Sequence, residues 1–159
     1  MADSETTWKT IEWRDEMSVG IAQLDDDHKG LIAIINRLGE ANSGDERDKS
    51  ALSPAFRALR QYMKVHFARE EEAMRAAHYP GLESHRPQHA DFIEEINDMA
   101  SRFEAGNETE LLDDLTVYLR DWLINHIMLE DMEYKPYLSG SDDARRAARD
   151  FTALGLWSG

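Results

Sequence analysis

The sequence predicts an all-α protein: an antiparallel up-down-up-down four-helix bundle with an N-terminal arm and a short C-terminal helix. Three observations lead there. Four long segments repeat apolar residues every three or four positions, the period of a helix buried along one face. Clusters of Gly, Pro, Asn and Ser separate them, and short links between long helices of similar length favour antiparallel neighbours. Five of the six histidines fall on those apolar stripes, in DDDH (His28), HFARE (His66, Glu70), HRPQH (His85, His89) and HIMLED (His126, Asp131).

Residues 1–20 carry Trp8, Ile11, Trp13, Met17 and Val19 without sustained helical spacing. They read as an extended arm packing its aromatics across a bundle. A first helix runs from Ala22 to Asn42, with Leu24, His28, Leu31, Ile32, Ile35 and Leu38 on one stripe, and stops in ANSGD. The second starts with Ser53 as N-cap and Pro54 at the first position, where its missing N–H costs nothing. Its stripe is Phe56, Leu59, Met63, His66, Phe67, Glu70, Met74 and Ala77, and Tyr79-Pro80-Gly81 breaks it.

The third helix is placed from His85, capped by Ser84, so that Pro87 falls in the first turn. Its stripe is His85, His89, Phe92, Ile93, Ile96, Met99 and Phe103, ending at Gly106. The fourth starts about Glu108 and carries Leu111, Leu115, Tyr118, Leu119, Trp122, His126 and Ile127 before Pro136 ends it. Residues 1–140 thus make one bundle domain. The extension, 141–159, holds a short helix from Asp142 to about Leu154, capped by Ser141 and ended by Gly155. Ala144, Ala147, Ala148, Phe151 and Leu154 give it a modest apolar stripe, read as docked on the bundle in preference to a dimer or partner contact.

Composition narrows the function. A net charge of −14 argues against nucleic acid and anionic membranes, which both call for basic patches. No apolar run approaches the roughly 20 residues that span a bilayer. The N-terminus has neither a basic nor an apolar region of the secretory kind, and the absence of cysteine fits a reducing compartment. The expectation is a cytoplasmic protein, monomeric and not inserted in a membrane.

Buried imidazoles and carboxylates are costly unless paired or bound to a metal. Positions i and i+4 share a helix face, so His66 with Glu70, and His85 with His89, each converge on one point in the core. Singly these pairs mean little, because HxxxH is common and this chain has 32 acidic residues. The weight lies in four such segments on four amphipathic stripes. Five imidazoles and two carboxylates suit iron, manganese or zinc. Seven side chains exceed what one such ion takes, so two ions are implied. With both carboxylates bridging, the histidines split three and two, and one ion is left a position short for a small molecule.

One spacing is awkward. His126 and Asp131 are five apart, about 140° out of line on a regular helix, whereas Glu130 at i+4 is better aligned. Asp131 requires the helix to loosen or bulge there, as helices do at functional sites.

These residues resemble a known family, the single-domain bacterial hemerythrins. The resemblance lies in WRDEMSVGIAQLDDDHKGL, YMKVHFAREEEAM, YPGLESHRPQH and WLINHIMLEDMEY, and covers about residues 11–138 with all seven ligand positions in order. It implies two non-haem irons: one held by His85, His89 and His126, the other by His28 and His66. It also implies that Glu70, Asp131 and an oxo or hydroxo group bridge them, and it selects Asp131 over Glu130. Dioxygen would bind reversibly at the iron with two histidines, for storage, delivery or scavenging, with no catalytic residue. Leu31, Phe67, Trp122 and Ile127 resemble the apolar wall of the family's oxygen pocket, though each would equally be core in any bundle. Tyr134 is either a hydrogen-bond donor to the site or a surface residue, and His78 matches no ligand position. The alternatives are an oxygen or redox sensor acting through a protein partner, and di-iron peroxidase or nitric-oxide chemistry. A ferritin-like oxidase fits less well, since its helices supply Glu-x-x-His pairs.

Overall fold

The computed structural model describes residues 8–41, 52–104 and 108–151, and among them the regular structure is entirely helical. Four long helices, α1 (Ala22–Ala41), α2 (Leu52–Ala76), α3 (Leu82–Glu104) and α4 (Glu108–Asn125), pack as a closed ring of sequence neighbours, α4 returning to α1. A π-helical segment, His126–Asp131, continues α4 into α5 (Met132–Leu138), and α6 (Asp142–Asp150) lies against α2 and α1. No described helix is long and apolar enough to cross a membrane.

The arm is extended apart from one 3-10 turn, Asp15–Met17. Asn36 holds it: its side-chain oxygen accepts from Trp8 Nε1 (3.0 Å) and Ile11 N–H (2.8 Å), and its amide donates to the Ile11 carbonyl (2.8 Å). The Trp8 indole lies where a side chain at position 39 would stand, so Gly39 lets it reach the helix backbone. Gly20, at φ +82°, turns the chain into α1.

Helix boundaries depart from the sequence reading in four places. Helix α2 begins at Leu52, so Ser53 is inside it and Pro54 lies in its first turn. Helix α3 begins at Leu82, because the Gly81 carbonyl accepts the Ser84 and His85 N–H groups (3.1 and 2.9 Å). Ser84 is therefore helical and Pro87 falls in the second turn, where the Glu83 carbonyl loses its i+4 donor. Pro136 sits inside α5, which runs on to Leu138. Helix α6 ends at Asp150, with Ser141 Oγ accepting from Ala144 N–H (3.0 Å). Asn42, Gly106, Leu154, Gly155 and the side chains of Phe103 and Leu111 lie outside the described residues.

Helix α2 ends in a Schellman motif. Tyr79 N–H bonds the Met74 carbonyl (3.0 Å) and His78 N–H the Arg75 carbonyl (3.1 Å), with His78 left-handed at φ +55°. His78 is exposed, as its place at a helix end predicts.

Two apolar layers fill the interior. One contains Leu31, Ile35, Phe67, Phe92, Leu119 and Ile127 among its buried members. The other contains Leu24, Ala73, Met74, Tyr134, Leu138, Ala144 and Ala148. In α1, in α2 and in the π segment the chain crosses from one layer to the other at a polar residue: His28 between Leu24 and Leu31, Glu70 between Phe67 and Ala73, Asp131 between Ile127 and Tyr134.

Candidate metal centre

His28, His66, Glu70, His85, His89, His126 and Asp131 are all buried and share the polar layer between the two apolar ones. The helical period delivers five of them: α1 turns His28 inward, α2 aligns His66 with Glu70, and α3 aligns His85 with His89. The π segment delivers the other two. Its wider turn brings residues five apart onto one face, so His126 and Asp131 both point inward while Glu130 swings aside to accept from Gln88 Nε2 (3.0 Å).

Each carboxylate faces two ways. Glu70 Oε1 lies 2.9 Å from His89 Nε2 and 3.1 Å from His85 Nε2, whereas its Oε2 lies 3.3 Å from His66 Nε2 and 3.5 Å from His28 Nε2. Asp131 Oδ1 lies 3.1 Å from His126 Nε2 and 3.3 Å from His85 Nε2, and its Oδ2 lies 3.1 Å from His28 Nε2. Two donor groups result, Glu70 with His85, His89 and His126, and Glu70 with His28 and His66.

The donor set fits metal ions on a structural ground. Both ring nitrogens of His28 and both oxygens of Asp131 are buried without a hydrogen-bond partner. Orphaned buried polar atoms are rare and costly in a folded protein. His28 Nε2 and Asp131 Oδ2 approach closely without hydrogen-bond geometry, so they share a space without bonding across it. His89 Nε2 and His126 Nε2 also meet in that layer, at 3.2 Å. Cations in that layer would satisfy His28 Nε2, both Asp131 oxygens and the Nε2 atoms of His89 and His126, whereas His28 Nδ1 lies on the far side of its ring.

Left to themselves, these groups shift strongly. Burial alone would depress the imidazoles, but the Asp131 and Glu70 carboxylates outweigh it and push His28 and His126 up to about 10 and His85 to about 9. Burial raises the two carboxylates, yet the surrounding imidazoles hold both well below the usual range.

The supporting residues were less visible in the sequence. His66 Nδ1–H donates to Asp27 Oδ2 (3.0 Å), and one guanidinium nitrogen of Arg69 donates to both Asp27 oxygens (2.5 Å). His89 Nδ1–H donates to Glu71 Oε2 (3.0 Å), and Arg86 pairs with Glu71 (3.2 Å). Such partners fix the tautomer that leaves Nε2 free for a metal. Asp27 and Glu71 adjoin ligand candidates in acidic runs, which gave no means of singling them out. Tyr134, left open by the sequence, is fully buried and donates to Glu70 Oε2 (2.9 Å). Burial, with Asp131 and Glu70 nearby, pushes its hydroxyl well above the ordinary range, so it stays a donor.

Aromatic groups cover one side of the layer. Phe67 stacks on His89 (3.8 Å, 8°) and Trp122 on His126 (4.4 Å, 11°). Leu31 and Ile127 are buried in the same apolar layer as Phe67, while Trp122 is half-buried against it. An open groove of about 990 Å³ between α2 and α3 is lined by Phe67, His89, Arg86 and Ile93.

Comparison with known proteins gives the family. Residues 19–138 match the family model of the hemerythrin HHE cation binding domain. A bacteriohemerythrin of Stenotrophomonas maltophilia is 34% identical over 124 residues, 78% of either chain. One from Methylococcus capsulatus is 34% identical over 133 residues, 84% of this chain and 96% of its own. A myohemerythrin of Theromyzon tessulatum is 30% identical over 124 residues, 78% of this chain and 90% of its own. The crystal structure of wild-type hemerythrin superposes with a TM-score of 0.71 at 28% identity, covering 83% of this chain and 100% of that one. With the match to its family model spanning most of its length, the chain belongs to the hemerythrin family.

Proposed function

We propose that this chain binds dioxygen reversibly at two non-haem irons held by His28, His66, Glu70, His85, His89, His126 and Asp131, as a carrier or store and not as a catalyst. The supporting observation is the two-sided disposition of Glu70 and Asp131. Each offers one oxygen to the three-histidine group and the other to the side of His28 and His66. In this reading both carboxylates bridge, beside an oxo or hydroxo group. Bound iron supplies the reversible redox chemistry.

The chain does the rest. Asp27 and Glu71 hold protons on the outer nitrogens of His66 and His89, keeping Nε2 bare and the rings oriented. Leu31, Phe67, Trp122 and Ile127 keep water from the layer. Tyr134 carries the phenolic proton beside the site and commits it to Glu70. A pocket with few other proton donors favours release of oxygen over its reduction.

Iron content and the visible spectrum of the purified protein, reduced without air and then exposed to it, test the proposal. Two irons per chain and a colour that appears in oxygen and fades on its removal are expected. Irons that oxidise once and do not return would overturn the carrier reading. Failure to take up iron after anaerobic reconstitution would overturn the site itself.

A further inference from the structure

Helix α6 lies beyond the family match, which ends at residue 138, yet it packs on α2 and α1. Its start is fixed by the Ser141 cap and its inner face by Ala144 and Ala148, both buried. Just past its end stands Phe151, whose ring faces the Arg69 guanidinium at 5.5 Å. Arg69 donates to both oxygens of Asp27, Asp27 accepts from His66 Nδ1–H, and His66 Nε2 looks into the polar layer. Side chains in unbroken sequence connect the tail to the site.

We propose that the C-terminal helix is a positioning element for the metal centre, with Phe151 holding Arg69, Arg69 fixing Asp27, and Asp27 setting the tautomer and tilt of His66. The inference rests on the metal reading of the site given above. Asp27 is anchored on two sides, and the anchor facing solvent is Arg69. A planar guanidinium retains its geometry best when an aromatic face covers it. The corresponding brace for His89 is built differently. Arg86, which pairs with Glu71, has a side chain 48% exposed, against 20% for Arg69. The tail therefore acts on the side of His28 and His66 and leaves the three-histidine side to its own brace.

The test uses the full chain, histidine-labelled with ¹⁵N, as wild type and as Arg69→Gln, Phe151→Leu and Phe151→Tyr. Two quantities are measured: exchange of the His66 Nδ1–H proton without metal, and release of zinc to a chelator after loading. Zinc is diamagnetic, so the returning imidazole signals show which ion has left. Arg69→Gln should speed release of the ion on the His66 side roughly 10- to 100-fold. Phe151→Leu should speed it about threefold. Phe151→Tyr, which keeps the ring, should match wild type, and the other ion should leave at an unchanged rate throughout. Equal rates in all variants, or equal acceleration of both ions, would overturn the proposal. If the wild type takes up no zinc and no iron, the metal reading fails, and proton exchange alone decides the coupling. Faster exchange in Arg69→Gln and Phe151→Leu but not in Phe151→Tyr sustains it; unchanged exchange refutes it.

Discussion

At Asp131 the chain presents a carboxylate with no exposed surface to His28, His85 and His126, while Glu130 beside it turns toward Gln88. Asp131→Ala should lower the metal content after anaerobic reconstitution, and Glu130→Ala should leave it intact. The reverse outcome would show that the wrong acid has been assigned. Tyr134→Phe removes the one phenolic donor to Glu70 and leaves the imidazoles around it. A hydrogen bond to a charged acceptor contributes about 1.5–3 kcal/mol, so denaturant unfolding should show a loss near the lower end of that range. His78 carries a different strain, a side chain in the left-handed region at a position where glycine is common. His78→Gly should stabilise the chain by about 1 kcal/mol, measured the same way, and a β-branched residue there should do the opposite.

Elements differ in how openly the sequence announced them. The four stripes were legible because apolar period and burial coincide: Leu24, His28, Leu31, Ile32, Ile35 and Leu38 of α1 are all buried. By spacing alone a regular helix aligns Glu130 with His126, so the loosened turn at His126–Asp131 was legible only through the family resemblance, which selected Asp131. The start of α3 was not. It depends on the Gly81 carbonyl, which a turn through Tyr79 and Pro80 aims at the Ser84 and His85 N–H groups. Nothing in local composition distinguishes that acceptor from Ser84. The consequence is measurable, because Pro87 is exposed and lies one turn deeper than its chemistry prefers. Pro87→Ala should restore the bond to the Glu83 carbonyl and stabilise the protein by about 1–3 kcal/mol. No gain in thermal midpoint would mean that α3 has already adjusted around the proline.

At the scale of the whole molecule, the seven candidate ligands form a polar layer between two apolar clusters of the described residues. The candidate ligands were legible because inward-facing histidines are few and each had a stripe to belong to. Their supports, Asp27, Arg69, Glu71 and Arg86, were not, because helix crossing alone decides which of many surface charges fold back on a histidine. The shifted pKa values make the metal-stripped chain sensitive to pH. His28, His85 and His126 titrate near 10, 9 and 10 when folded, against 6.5 ordinarily. Their contribution is fully present below pH 6.5 and lost as pH rises through 9 to 10. Glu70 and Asp131 shift downward from 4.5 and 3.8, so theirs is present above those values and lost as pH falls. After chelation the melting temperature should therefore peak between about pH 4.5 and 6.5 and decline toward pH 10. The loaded protein, with imidazoles already neutral as ligands, should show no such alkaline decline.

The stacking of Trp122 on His126 at 4.4 Å has an optical consequence. An indole lying parallel to an imidazole of the site is a fluorophore in contact with a quencher whose character changes when that imidazole binds an ion. The chain has four tryptophans. Replacing Trp8, Trp13 and Trp157 with phenylalanine would leave Trp122 as sole emitter, and the protein's own light would then report each ion that arrives beside His126 or leaves it.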